Sequence, residues 1–234
     1  MLSKTNAKMT DSKPASPLPP KILVQCDFDG TITIEDASFI MLDTFARGNW
    51  RRINDEYEAG RITVGRFNES AFGLVRATKK AMLESIRGRV RIRAGFSELM
   101  ACCERHGFRV VIVSNGLDFY IQEIFNKIGF PKIEFHAAST RFGGRKVSVQ
   151  YIGPDGKPID DAFKAAYVSH FLRQNYRIIY IGDGSSDLAP ARKCQRVFAT
   201  GTLLKRCRAE SVDHVPFDDF YRIVESLDEL AKEE

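Results

Sequence analysis

Three short apolar runs, each cut off abruptly by polar residues, frame the chain. Ile22-Leu-Val-Gln-Cys26 stops at Asp27-Phe-Asp-Gly30, Arg109-Val-Val-Ile-Val113 at Ser114-Asn-Gly116, and Ile178-Ile-Tyr-Ile181 at Gly182-Asp-Gly-Ser-Ser-Asp187. Continuous apolar runs of this length are how strands read when both faces are covered, as in a parallel sheet. Helical periodicity lies between them, over Phe96 to His106, Phe119 to Lys127 and Ala162 to Gln174, and a further short strand is predicted at Arg196 to Ala199. Strands alternating with helices predict an α/β fold built on a doubly wound parallel sheet.

Two stretches break this rhythm. From Ile34 to about Arg93 no strand-like run occurs, and four helices are predicted: Ser38 to Phe45, Trp50 to Glu58, Val64 to Val75 and Lys79 to Arg87. An all-helical block inserted just after the first strand end, beside the presumed crevice, reads as a lid or cap. Ala138 to Ile152 alternates around Phe142-Gly-Gly-Arg-Lys146 and predicts a β-hairpin at the sheet's periphery. Residues 1–20 hold four of the nine prolines and little that can be buried, so they read as a flexible proline-rich tail, with order beginning at Lys21. The expected division is a tail over 1–20, a catalytic core made of 21–33 and 94–234, and a helical cap over 34–93.

Composition narrows the picture from outside. A length of 234 residues, with 44% hydrophobic and 28% charged, describes an ordinary globular protein and excludes wholesale disorder. The net charge of +5 is too small to make nucleic acid the default partner. Twelve basic against eight acidic residues in 34–93 account for +4 of it, which reads mainly as a solvated helical surface and, for one or two arginines, as a lure for an anionic small molecule. Five scattered cysteines without a C-x-x-C pair indicate neither a disulfide framework nor a structural zinc site. No apolar window is long enough to span a membrane and the first twenty residues lack a secretory h-region, so a cytoplasmic protein without a membrane partner is expected.

The strand ends carry the chemistry. Asp27 and Asp29 sit two apart at the end of a buried strand, and carboxylates held so close repel unless a positive group compensates them. A divalent cation such as Mg²⁺, which prefers hard oxygen ligands and a substrate phosphate, answers that need. Asp183 and Asp187 end the third run, and in an open parallel sheet all these ends meet along one crevice, so four carboxylates are expected to converge. Ser114 offers a hydroxyl, and Asn115-Gly116 a turn whose amides can cradle an oxyanion. Lys164 falls in the first turn of a predicted helix, where a cation opposes the helix dipole, and such a locally unfavourable placement invites a functional reason. Taken singly, each feature has a plain reading: a turn, a strand-end hydroxyl, a surface lysine. Their order at successive element ends is what points to a shared site.

These residues resemble the motifs of the haloacid dehalogenase superfamily of aspartate-nucleophile phosphatases. Asp27-Phe-Asp-Gly-Thr31 is similar to the first motif, Ser114-Asn115-Gly116 to the second, Lys164 to the motif lysine, and Gly182 to Asp187 to the acidic fourth motif. The inserted helices resemble the phosphoserine phosphatase branch. Cys26 to Thr33 and His214 to Tyr221 resemble a subgroup that includes a methionine-salvage phosphatase of a methylthio-hydroxyketopentenyl phosphate. The resemblance implies a Rossmann-like core and a Mg²⁺-dependent phosphomonoesterase of a small phosphorylated metabolite. It implies Asp27 as nucleophile, Asp29 as general acid and then base, and Ser114, Asn115 and Lys164 on the phosphate oxygens. It also implies a metal group drawn from Asp27, Asp29 (through its main-chain carbonyl), Asp183 and Asp187, with Asp187 ordering the metal's waters or Lys164. Two further residues, Asp36 and Arg66, stand where phosphoserine enzymes meet their substrate's ammonium and carboxylate, and Ser186 departs from the asparagine common there. The alternatives are a phosphotransferase using the same intermediate and a non-catalytic protein keeping the fold. Oligomeric state is not legible.

Overall fold

In the computed structural model, residues 21–232 are described; the tail expected over 1–20 lies outside them. Eight strands form one sheet in the order β5-β4-β3-β2-β1-β6-β7-β8. They are β1 (Lys21–Cys26), β2 (Arg109–Leu117), β3 (Phe135–Gly143), β4 (Lys146–Ile152), β5 (Pro158–Ile159), β6 (Tyr176–Gly182), β7 (Arg196–Ala199) and β8 (Val215–Pro216). β3, β2, β1, β6, β7 and β8 run parallel, while β4 and β5 add antiparallel at one edge. The sheet is therefore mixed where the sequence pattern predicts a parallel one. The predicted hairpin is the reason: it is β3 and β4, and β3 is also a parallel partner of β2.

Helices α5 (Phe96–His106), α6 (Asp118–Lys127) and α7 (Phe163–Arg173) link these strands. Three further helices go beyond the sequence reading, the short α8 (Leu188–Ala191), α9 (Gly201–Ala209) and α10 (Tyr221–Leu230). β1 lies in mid-sheet with five of its six residues buried, which is why it reads as unbroken apolar sequence.

Between β1 and α5 stands a block of four helices, α1 (Ala37–Phe45), α2 (Trp50–Glu58), α3 (Val64–Gly73) and α4 (Lys79–Ile86). Each is capped by its own side chain: Asp36, Asn49, Thr63 and Thr78 accept from the amides of Phe39, Arg52, Arg66 and Ala81. Such caps satisfy amides that have no intrahelical partner and are worth about 1 kcal/mol each. The block meets the core through a two-chain neck, where Ile34 N–H donates to Arg91 O (2.9 Å) and Arg93 N–H to Ile32 O (2.8 Å). It also leans on the core at Gly65, whose N–H donates to Asp160 O (2.9 Å), and at Glu58, which accepts from the Ser185 hydroxyl (3.1 Å).

The chain leaves β1 toward β2 and β3 on one side and returns to β6 on the other. Such a switch point opens a crevice at the carboxyl ends of the strands. Register then decides what enters it: Cys26 is level with Ile112 of β2 and Ile181 of β6. The residues that follow, Asp27, Ser114 and Asp183, are thereby drawn to one mouth.

Candidate active site

The crevice holds a cavity of about 250 Å³ between the strand ends and the helical block. Its lining includes Asp27, Asp29, Asp36, Ser114, Asn115, Lys164 and Asp183. Five acidic side chains line it (Asp27, Asp29, Asp36, Glu58 and Asp183) against one cation, Lys164.

Asp27 continues β1, and its N–H donates to Ile181 O at 2.9 Å. Its Oδ1 accepts from the Phe28 amide (2.7 Å) and its Oδ2 pairs with Lys164 Nζ at 2.7 Å. Lys164, 3% exposed, reaches from the first turn of α7, whose position is pinned by Gln25 donating to the Lys164 carbonyl (3.2 Å). Burial works against the charge on Lys164, but Asp187 and Asp27 outweigh it and hold the ammonium above its ordinary range. Burial lifts the Asp27 carboxyl to about 8, helped by Asp187 and Asp183 and opposed by Lys164.

Asp187 sits behind the cavity with no exposure. Its carboxylate lies within 4.8 Å of those of Asp27 and Asp183, so three of the four expected carboxylates stand together. Its oxygens are nonetheless spent on four donors. Oδ1 accepts from Lys164 Nζ (2.7 Å) and Tyr180 OH (2.6 Å), and Oδ2 from the amides of Asp183 (3.1 Å) and Gly184 (2.8 Å). A carboxylate satisfied this way orients the lysine and the loop after β6; it has no oxygen left for a cation.

Asp183 accepts from the Thr31 hydroxyl at 2.8 Å, and its carboxyl is pushed up to about 7 by burial and then by Asp187. It fits beside Asp27 only because residue 30 is glycine: at φ +77°, a Cβ there would overlap Asp183 Oδ2. Asp27 and Asp183 are two oxygen donors, close, half or fully buried, with Lys164 the one cation among the described residues that line the cavity. That donor set suits a hard divalent ion such as Mg²⁺.

The side chain of Asp29 departs from the expected four-carboxylate cluster. Its Oδ1 accepts from the Ala37 amide in the first turn of α1 (2.9 Å) and its Oδ2 from the Tyr120 hydroxyl. Burial and the neighbouring Asp36 hold its carboxyl well above the ordinary range, against the two donors, which lower it. Gly116 makes room for this arrangement, since a Cβ at that position would collide with Tyr120 OH and Asp29 Oδ2. Ser114, 1% exposed, accepts from the Gly116 amide (2.9 Å), leaving its hydroxyl hydrogen to donate. The anticipated turn at Asn115-Gly116 is instead the last stretch of β2, and the carbonyl of Asn115 accepts from Asn68 Nδ2 (3.1 Å) and from Tyr151 OH (2.5 Å).

The two residues suggested for a substrate's charged groups fare differently. Asp36 does line the cavity, where it caps α1 through Phe39 (2.9 Å) and burial pushes its carboxyl up to about 6. Arg66 does not: it stands on the outer face of α3, paired with Glu69 at 3.1 Å and 63% exposed. Other arginines of the block are likewise committed at its surface, Arg51 to Asp43, Arg61 to Glu56 and Arg91 to Glu35. The block's basic excess thus sends no arginine into the cavity. What it sends, besides Asp36 and Glu58, are Ser38, Phe39, Asn54, Tyr57, Val64, Phe67 and Asn68, neutral and partly apolar.

Several supporting residues escape sequence reasoning. Arg93, counted with the cap's surface charge, staples the first loop, donating to Thr31 O (2.7 Å), Gly30 O (2.7 Å) and Asp218 O (2.8 Å). Tyr180 had a usable signal, since it lies two residues before Gly182 on the same face of β6. Tyr120 had none, being one buried aromatic among many on α6.

Comparison with known proteins matches this geometry. The haloacid dehalogenase-like hydrolase family matches residues 24–192. A 2-hydroxy-3-keto-5-methylthiopentenyl-1-phosphate phosphatase of Exiguobacterium sp. (strain ATCC BAA-1283 / AT1b) is 30% identical over 204 residues, 86% of this chain and 94% of the relative. The protein of that name from Geobacillus kaustophilus (strain HTA426) is 28% identical over 214 residues, 90% of this chain and 97% of the relative. A phosphoserine phosphatase solved as a phospho-aspartyl intermediate analogue aligns with a TM-score of 0.67 at 18% identity, covering 88% of this chain and 99% of its own, a likeness of fold. The family match spans the strand ends, the lysine and the last acidic motif alike, and by it the chain belongs to the haloacid dehalogenase-like hydrolases.

Proposed function

We propose that this phosphatase of a small phosphorylated metabolite works through an aspartyl-phosphate on Asp27, requires Mg²⁺, and acts on 2-hydroxy-3-keto-5-methylthiopentenyl-1-phosphate, the compound in its relatives' name. The observation that carries the reading is the charge balance of the cavity, five acids to one lysine. A phosphate dianion has no reason to enter such a site unless a divalent ion joins it there. When bound by Asp27, Asp183 and the main-chain carbonyl of Asp29, Mg²⁺ supplies the charge that offsets repulsion between nucleophile and phosphate.

The chain's own groups divide the rest of the work. An Asp27 oxygen attacks phosphorus while the ester P–O bond breaks, and the departing alkoxide takes the proton of Asp29. Burial and the neighbouring Asp36 raise that carboxyl toward its protonated form, while the donors Ala37 N–H and Tyr120 OH pull the other way and fix its place. Ser114, the amide of Asn115 and Lys164 steady the phosphoryl oxygens. Asp29, now ionised, takes a proton from water, which attacks phosphorus and releases phosphate from Asp27. The helical block serves as the cap: Phe39 and Phe67 supply apolar wall for a thioether arm.

A second reading, phosphoserine as substrate, draws on the fold likeness and on Asp36 as a partner for an ammonium. It lacks a cation for the carboxylate, because Lys164, the one cation among the lining residues, serves the phosphoryl oxygens and Arg66 faces away. The decisive experiment measures phosphate release from the two esters side by side with Mg²⁺. The methylthiopentenyl ester is expected to lead in kcat/KM by at least about 100-fold, and the reverse order overturns the substrate assignment. Asp27→Asn is expected to lower kcat on p-nitrophenyl phosphate by more than about 10³-fold, since no other group can take the phosphoryl.

A further inference from the structure

Outside the residues that line the cavity, α5 and α10 pack together and bring three metal-ligating groups to one point. Cys102 and His106 lie four apart on α5 and so share a helix face. Asp228 of α10 stands opposite: its Oδ1 receives Cys102 Sγ at 3.4 Å and His106 Nε2 at 2.6 Å. The three ligand atoms all lie within 4.8 Å of one another.

We propose that Cys102, His106 and Asp228 form a second metal site, for a borderline-soft divalent ion such as Zn²⁺, that ties α10 to α5. Thiolate, imidazole and carboxylate together are the donor set such ions select, whereas Mg²⁺ avoids sulfur and nitrogen. In a tetrahedral zinc site, bonds of about 2.0 to 2.3 Å put neighbouring ligand atoms roughly 3.3 to 3.7 Å apart. The Sγ to Oδ1 distance of 3.4 Å already fits, and the Nε2 to Oδ1 distance of 2.6 Å must open by about 1 Å, within reach of a χ adjustment at half-buried side chains. Cys102 is buried, while His106 and Asp228 are 25% and 36% exposed. One face of the site is thus open for a hydrated ion to approach and for water to remain as fourth ligand.

The protons balance simply. Burial and the adjacent Asp228 push the Cys102 thiol up to about 11, so it enters the reaction protonated. Binding forms the metal–sulfur bond and releases that proton to solvent, and the Nε2 proton that His106 donates to Asp228 must likewise leave that nitrogen, to Nδ1 or to solvent, before Nε2 binds. Arg105 competes among the described residues: a guanidinium nitrogen lies 2.6 Å from the same Asp228 Oδ1. Its side chain is 57% exposed and free to shift to Oδ2 or to solvent.

Co²⁺ is the optical probe, added to the full chain with Mg²⁺ in excess so that the acidic cavity is already supplied. A thiolate-to-cobalt charge-transfer band in the near ultraviolet is expected, titrating to one equivalent, displaced by Zn²⁺, and absent in Cys102→Ser. The more exposed His106→Gln should fold normally and weaken Co²⁺ binding by at least about tenfold. Zn²⁺ should raise the melting temperature of the natural protein and not of His106→Gln. A wild-type protein without the band, or a band that survives Cys102→Ser, overturns the proposal. So does a melting temperature that responds to Zn²⁺ equally in the natural protein and in His106→Gln, because the cluster is then only a hydrogen-bonded helix clamp.

Discussion

The sheet's crevice and the helical block above it handle charge in opposite ways. At the strand ends, Asp27, Lys164 and Asp187 are buried and locked in a chain of contacts at 2.7 Å, with every oxygen of Asp187 assigned to a donor. In the block, arginines and acids pair at the surface, and the side chains turned to the cavity are mostly neutral. The contrast follows from solvent. A surface ion pair is worth about 0 to 1 kcal/mol and commits nothing, whereas a buried charge must be paired and hydrogen-bonded or it destabilises the fold. The crevice can therefore hold Asp27 in one geometry, and on the proposed function the block is left to shape the space around the leaving group. Its helices cap themselves with Asp36, Asn49, Thr63 and Thr78, while α5 and α7 begin at left-handed residues, Gly95 and Ala162, positioned by the sheet they serve.

Four measurements press on that contrast, the strongest first. Lys164→Met strands Asp27 and Asp187 without their counter-ion and is expected to cost about 3 to 5 kcal/mol in urea unfolding along with nearly all activity. A loss under 1 kcal/mol would mean that the crevice is no more demanding than the surface.

The second uses pH. The unfolded chain sheds the protons of Asp27 and Asp183 near pH 4, the folded protein near 8 and 7. Between those limits the folded state holds more protons, so raising the pH destabilises it, by up to about 1.4 kcal/mol per unit for each group. Melting curves in EDTA should therefore fall from pH 5 to 8, and the gain on adding Mg²⁺ should grow over the same span, because the cation binds the ionised form. A melting temperature in EDTA that is flat with pH would show that Lys164 alone neutralises the cluster.

The third addresses the block. Phe39→Ala removes apolar wall at a half-buried position and is expected to raise KM for the methylthiopentenyl ester about tenfold, with kcat within about twofold, in steady-state assays. A fall in kcat instead would place Phe39 in the alignment of the reacting groups. The smallest effect belongs to Arg66→Ala, where kcat/KM and stability should both stay within about twofold and about 0.5 kcal/mol. A marked loss against phosphoserine would bring back the arginine role that its outward placement denies.

Legibility along the chain followed the same divide. β1, β2 and β6, the four helices of the block and the helices α5 to α7 were readable because apolar period and cap residues are local signals. α9 and α10 were not, for the faces they bury are set by β7 and by α5. Arg66 was misplaced because spacing from a motif gives distance along the chain and not the face of a helix turned inward. The role of Asp187 was half legible. Its place in the acid cluster followed from the strand end, but its commitment to Lys164 and Tyr180 joins residues 23 and 7 positions away.

By itself the order of residues determined that this is an α/β protein with acids, a hydroxyl and a lysine at one crevice. Buried strands must be apolar, and polar groups at their ends are tolerated only where ends meet open space. Tertiary structure decided how four similar aspartates divide their work. Each carboxyl takes its character from burial and from donors brought to it by the fold: Thr31 for Asp183, Tyr120 and Ala37 for Asp29, Lys164 for Asp27, and Lys164 with Tyr180 for Asp187. Such an environment exists only once the chain has closed on itself.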